Sequence, residues 1–116
     1  PVPDTCVGKD FSRTALGGKG PEPESQFIMH ISKEHASGGQ KHPAPLFRGV
    51  TTGRYTYAVY PDRPWCLFDN RDDPYQQHNL IDDPNRAGTR KAMRAMLATW
   101  LKEAEDPFTI PAEERP

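Results

Sequence analysis

The chain has 116 residues, of which 34% are hydrophobic, 13 are Pro and 9 are Gly. This composition predicts one small domain with a modest core and long irregular segments. The 15 basic and 16 acidic residues leave a formal net charge of -1, so charge gives no reason to expect nucleic acid or an anionic membrane as a partner. The sequence also has no run of about 18 apolar residues that would predict a membrane span.

The N-terminal region is rich in Gly and Pro, and residues 1–25 are predicted to form an extended segment that wraps over a surface. The sequence starts at Pro1 without a Met or a signal peptide, so we expect a piece cut or processed from a longer chain. Cys6 and Cys66 do not make a disulfide framework, and two free thiols are favoured over one bridge.

Residues 26–31 are short, apolar and β-favouring, which predicts a first strand. A second linker is expected over residues 32–45. Residues 46–51 and 54–60 then form the clearest hairpin, with a turn around Thr52-Gly53. Alternation along its second strand predicts one packed and one partly wet face. A fourth strand starts at residues 65–69, and residues 69–74 must form a turn or loop.

The pattern changes to a helical period after Asp83, which is a plausible N-cap with Pro84 at the first helical position. Pro107 disfavours helix at the preceding residue, so the helix should end near Asp106. One apolar stripe at three- and four-residue spacing faces the sheet, and it contains Met93, Met96, Leu97, Trp100, Leu101 and Ala104.

The simplest architecture is therefore an α+β fold in which a sheet of about four antiparallel strands carries one long amphipathic C-terminal helix on a face. In this interpretation residues 26–108 form the α+β unit. Residues 1–25 are the wrapping segment, and residues 109–116 form a tail.

Several pieces, in order along the chain, resemble the C-terminal part of sulfatases. Residues 47–57, FRGVTTGRYTY, resemble the family's RGVRT-x-RY-x-Y hairpin, and residues 66–80, CLFDNRDDPYQQHNL, resemble its LYDLENDPYELNNL segment. Asp106-Pro107-Phe108 resembles the GDPF that closes several bacterial members, and Pro1 to Thr5 resemble the loop after the large catalytic domain. The resemblance implies the C-terminal subdomain of a formylglycine-dependent sulfatase, related to alkaline phosphatase.

The family's catalytic signature, C-x-P-x-R or S-x-P-x-R, is absent from this sequence. Cys6 is followed by Val-Gly-Lys and Cys66 by Leu-Phe-Asp, so neither matches the residue that is oxidised to formylglycine. The resemblance implies that the calcium ligands and the catalytic Lys and His residues belong to the catalytic domain of the parent protein. We therefore expect no cofactor and no catalytic residue in this chain, with calcium and formylglycine supplied by the parent.

Four residues are candidates for the edge of a substrate pocket: His35, His42, Arg48 and Arg54. A guanidinium binds sulfate as it binds phosphate, but each arginine is also explained by an ion pair with a carboxylate. His30, His35 and His42 in principle make a three-ligand zinc site, although surface histidines are favoured because their spacing matches no known motif.

The acidic run Asp69-Asn70-Arg71-Asp72-Asp73 has two interpretations. It lacks the alternation of a calcium loop, so a turn held by side-chain to backbone hydrogen bonds is favoured. Paired carboxylates for general acid–base catalysis are disfavoured, because adjacent residues in a polar loop are expected to be solvated.

Two functions follow from these observations. The first is a non-catalytic sulfatase subdomain whose partner is the catalytic domain and which self-associates when isolated. The second is a stand-alone binding or self-association module derived from a sulfatase end. The parent's substrate, an aryl, choline or carbohydrate sulfate, is left open. So is the compartment, although the family is often periplasmic or secreted in bacteria.

Overall fold

The computed structural model describes residues 8–31 and 46–112, together with the backbone of residues 35–37 and 40–42. The strands form a four-stranded antiparallel sheet in the order β1-β4-β5-β6 and a separate two-stranded hairpin, β2-β3. A 3-10 helix at Pro84–Arg86 leads into the final helix. The elements in chain order are α1 (Ser12–Ala15), β1 (Ser25–His30), β2 (His35–Ser37), β3 (Gln40–His42), β4 (Phe47–Thr52), β5 (Tyr55–Val59), β6 (Pro64–Asp69) and α2 (Ala87–Glu103).

The core lies between α2 and one face of the sheet, which we call the inner face. The strand register aligns Phe27, Val50, Tyr57 and Leu67 in one row across the sheet. The helix covers this row with its predicted apolar stripe, of which Met93, Leu97 and Leu101 are buried. The predicted α+β architecture is confirmed, because alternation along the strands and a helical period along α2 supply two matching apolar surfaces.

The two ends of the helical region are set by local hydrogen bonds. Asp83 caps the N-terminus by accepting the backbone N–H of Asn85 at 2.9 Å. The helix stops at Glu103, earlier than the predicted end near Asp106. Glu105 takes a positive φ of 50°, and the backbone N–H of Asp106 reaches back to the carbonyl of Leu101 at 2.9 Å. This is a Schellman motif, so a left-handed residue, rather than Pro107, ends the helix.

The opposite face of the sheet, which we call the outer face, carries no charged strand residue other than a histidine. A β-bulge between β5 and β6 adds one residue, Trp65, to this face. A bulge places two successive side chains on the same side of a strand. The outer-face strand residues are Gln26, Ile28, His30, Phe47, Gly49, Thr51, Thr56, Ala58, Cys66 and Phe68, together with the bulged Trp65.

The two edges of the sheet differ. On the β6 edge the Asn79 side chain accepts the backbone N–H of Leu67 at 3.0 Å and donates to the carbonyl of Trp65 at 3.0 Å. Leu80 adds a backbone bond to the carbonyl of Leu67 at 2.8 Å. Asn79 therefore pairs with β6 as a further strand would. Among the described residues, no strand pairs with the other edge, β1.

Two predictions about the irregular regions need correction. The linker expected at residues 32–45 contains the β2-β3 hairpin, and the N-terminal segment contains α1. Gly38-Gly39 stands between the two short strands, a pair that is typical of tight hairpins. Within the described residues, no helix has both the length and the apolar composition that crossing a membrane requires.

Candidate functional site

The candidate pocket-edge residues lie at two ends of the sheet. His35 and His42 are opposite each other in the β2-β3 hairpin, which connects the end of β1 to the start of β4. Arg48 is at this same end, which we call the hairpin end. Arg54 lies at the other end, just before β5. The fold therefore brings Arg48 and the two histidine positions to one end and separates Arg54 from them.

Arg48 is held by a dense set of partners. Its Nε donates to Asp106 Oδ2 at 2.6 Å and its Nη2 to Asp106 Oδ1 at 3.4 Å. Its Nη1 donates to the backbone carbonyls of His30 at 3.2 Å and Phe47 at 3.0 Å, and the guanidinium lies 5.1 Å from the centre of the Phe108 ring. The hydrogen bond from Arg48 holds the pKa of Asp106 below its ordinary value. The donors of this guanidinium are therefore committed to the fold.

Arg54 is engaged in a similar way at the opposite end. Its Nη2 donates to Asp69 Oδ2 at 2.8 Å, and its Nε contacts both carboxylate oxygens at 3.1 Å. The pKa of Asp69 is lowered by the side-chain hydrogen bond from Arg54, and the pKa of Arg54 is raised by the same bond. The Asp69 side chain is buried, whereas 43% of the Arg54 side chain is exposed. Arg54 thus keeps a solvent-facing side in addition to its ion pair.

A row of rings at the hairpin end was not foreseen from the sequence. Trp65 stacks on Tyr60 with ring centres 4.8 Å apart and packs against Phe47 at 5.2 Å, and Phe47 in turn stacks on His30 at 6.1 Å. We call these four residues the aromatic ladder. It depends on the bulge, which places Trp65 on the outer face, and a bulge has no reliable signal in a single sequence.

The acidic loop after β6 forms turns, as predicted. Asp69 Oδ1 accepts the backbone N–H of Arg71 at 3.3 Å, and Asp73 Oδ2 accepts that of His78 at 2.7 Å. The backbone N–H groups of His78 and Gln77 lower the pKa of Asp73. Among the described residues, no group of three or more His, Cys, Asp or Glu side chains has the arrangement of a metal site. The described carboxylates therefore fit neither a calcium loop nor an acid–base pair.

Cys66 does not fit the role of a modified catalytic cysteine. It is a free thiol on the outer face, and burial raises its pKa to about 11. It stands in a strand and is followed by Leu-Phe-Asp. Neither formylglycine nor calcium finds matching residues in the described part of the chain, so no catalytic step through either group is derived. Cys6 lies outside the described residues.

Comparison with known proteins finds no family model that matches the chain. The chain is 34% identical over 110 residues to the ulvan-active sulfatase of Formosa agariphila, covering 92% of this chain and 20% of that protein. It is 43% identical over 70 residues to the endo-4-O-sulfatase of Bacteroides thetaiotaomicron, covering 55% of this chain and 14% of that protein. The chain thus spans a fifth or less of the length of these curated relatives.

Solved structures agree with this assignment. A 2-O GAG sulfatase superposes with a TM-score of 0.75 at 21% identity, covering 97% of this chain and 24% of that one. YidJ of Bacteroides fragilis, which is classed as a sulfatase, superposes with a TM-score of 0.67 at 28% identity, covering 91% and 22%. The first similarity supports the fold alone, while the second extends over sequence as well. The chain belongs to the sulfatase family and corresponds to one region of a sulfatase.

Proposed function

We propose that this chain is the non-catalytic C-terminal subdomain of a sulfatase, where it supports the catalytic region and borders the substrate pocket. The observation that carries the proposal is the state of the two candidate arginines. Each donates to a buried or nearly buried carboxylate, so both act first as fold-stabilising groups. A chain whose strongest anion-binding groups are already paired is suited to support and to peripheral contacts.

The parent's reaction is proposed to be hydrolysis of a sulfate ester by formylglycine with bound calcium. The Formosa relative is named for ulvan and the Bacteroides relative for endo-4-O-sulfatase activity. These names favour a sulfated carbohydrate over an aryl or choline sulfate as the substrate class. The catalytic signature and the metal ligands are proposed to lie in the remainder of the parent polypeptide.

The hairpin end is the part of the chain that we propose to border the pocket. His35 and His42 stand opposite each other there, and Arg48 lies close to the strands that the hairpin joins. Arg54 stays a candidate for a separate contact, because its exposed side is free to meet an anion while the other side binds Asp69.

A free-standing binding module is the second candidate. It draws on the self-contained core, in which the inner face and α2 bury Val50, Tyr57, Leu67 and Leu97 without any other chain. The in-frame coding DNA upstream of Pro1 separates the two candidates. Several hundred codons with a C-x-P-x-R or S-x-P-x-R signature support the subdomain, whereas a local start codon supports the module.

Sulfate release tests the proposed division of labour. The 116-residue chain and the complete polypeptide are compared on an aryl sulfate and on a sulfated polysaccharide, with calcium present. We expect release only from the complete polypeptide, and we expect replacement of the Cys or Ser of its signature to abolish it. Sulfate release by the 116-residue chain alone, lost on Arg54→Ala, contradicts the proposal.

A further inference from the structure

We infer that the outer face of the sheet is the surface on which the remainder of the sulfatase polypeptide packs, with Trp65 as its central contact. This inference rests on the proposed function, and it adds which face is used and which residue dominates. The sheet has two faces, and α2 already covers the inner one. Among the described residues, no helix or strand lies over the aromatic ladder.

The composition of the outer face matches the core of a protein interface. Its strand residues carry no formal charge at neutral pH, and its ladder joins Tyr60, Trp65 and Phe47 in continuous ring contact. Interface cores are depleted in charged residues and enriched in aromatic ones, and Trp and Tyr dominate binding energy. Trp65 is still 38% exposed, so it retains surface that a partner can cover.

The shape of the face allows close approach. Gly49, Ala58 and Cys66 stand side by side across three strands, and all three are buried beneath larger neighbours. Ile28 leans over Gly49 so closely that a Cβ built on the glycine lies 2.9 Å from Ile28 Cγ1. A flat, small-residue centre flanked by rings lets another layer pack at the usual distance of about 10 Å.

The occupant is argued from length. The chain spans 20% of the Formosa relative, so a sulfatase of that size supplies a large partner within the same polypeptide. A covalently joined partner acts at an effective concentration of about millimolar, which favours it over a second copy. The N-terminal segment reaches only the far end of the face, where Phe11 lines a shallow cavity with Gln26 and Thr51.

Hydroxyl-radical footprinting of the complete polypeptide tests the inference. Trp65 is compared with Tyr75, which is 83% exposed in the loop after β6 and serves as an internal reference. After correction for intrinsic reactivity, we expect Trp65 to be oxidised at least about tenfold more slowly than Tyr75. Equal rates overturn the inference and leave the proposed function intact, because sulfate release tests that separately.

The 116-residue chain by itself provides the second arm. Here Trp65 should be reactive at low concentration and become protected as the chain self-associates. If Trp65 is protected only by self-association and stays reactive in the complete polypeptide, the natural occupant is a second copy and the inference is wrong. In the complete polypeptide Trp65→Ser should lower the thermal midpoint, while Tyr75→Ser should leave it unchanged. An equal effect of the two substitutions also overturns it.

Discussion

Replacing Arg48 with alanine removes the guanidinium that joins β4 to the residues after α2. The side chains of Arg48 and Asp106 are only 12% and 11% exposed, so the ion pair is largely shielded from water. After the mutation the Asp106 carboxylate keeps one described donor, the backbone N–H of Phe108 at 2.9 Å. The carbonyls of His30 and Phe47 lose a donor at the same time.

The loss of free energy of unfolding follows from this geometry. Removing one partner of a buried ion pair costs about 3–5 kcal/mol, because the remaining charge stays buried without compensation. Since each side chain keeps about a tenth of its surface in water, we expect the lower end, about 3 kcal/mol. In a domain of this size that loss lowers the melting temperature by about 10–20 °C.

A double-mutant cycle measures the coupling directly. Urea unfolding followed by circular dichroism is recorded for Arg48→Ala, Asp106→Ala and the double variant, and the two single losses should overlap by about 2 kcal/mol. Arg63→Ala is the matched control, because its pair with Asp62 is exposed and should change stability by less than about 0.5 kcal/mol. Single losses that add within about 0.3 kcal/mol, or an Arg48 loss no larger than the control, refute the reasoning.

Four other measurements follow from the same structure. Gly49→Ala should destabilise by about 2 kcal/mol in urea unfolding, since its Cβ would lie 2.6 Å from a backbone carbonyl, while Gly53→Ala meets no atom and should be neutral within about 0.5 kcal/mol; equal effects contradict this. Glu105→Gly should stabilise by about 0.5–1 kcal/mol because it relieves a left-handed φ of 50°; a loss of stability contradicts the motif. The pKa of Asp106 is lowered by folding, so its stabilisation is present above about pH 4 and is lost as pH falls through the folded pKa; Asp106→Asn should flatten the stability profile there, and an unchanged profile is the contrary result. Iodoacetamide at pH 8 should alkylate Cys66 at least about tenfold more slowly in the native chain than in urea, because its pKa is raised to about 11; equal rates by peptide mapping contradict its burial.

The main architecture was predictable because its signals are local. Alternation in the β4-β5 hairpin and the stripe of Met93, Leu97 and Leu101 each define one apolar face, and the two faces pack together. The cap at Asp83 was also correct, because an Asp before Pro at a helix start accepts a backbone N–H whatever lies further away.

The candidate site was less predictable because it depends on long-range contacts. Arg48 and Asp106 are 58 residues apart, and nothing near either residue indicates the other. Glu105 has no sequence preference for a left-handed φ, so the helix end was placed too late. The bulge at Trp65 changes the face of one side chain, and a simple alternation places that ring on the wrong side.

The Asn79 cap on β6 has a consequence for how the chain aggregates. Growth of a sheet from molecule to molecule needs two free edges on each copy, as in cross-β fibrils. Here the amide of Asn79 occupies the backbone of Leu67 and Trp65 on one edge. Two copies that pair through β1 therefore produce a sheet with both outer edges closed. Edge pairing in this fold ends at a dimer, and a fibril requires that the segment around Asn79 first detach.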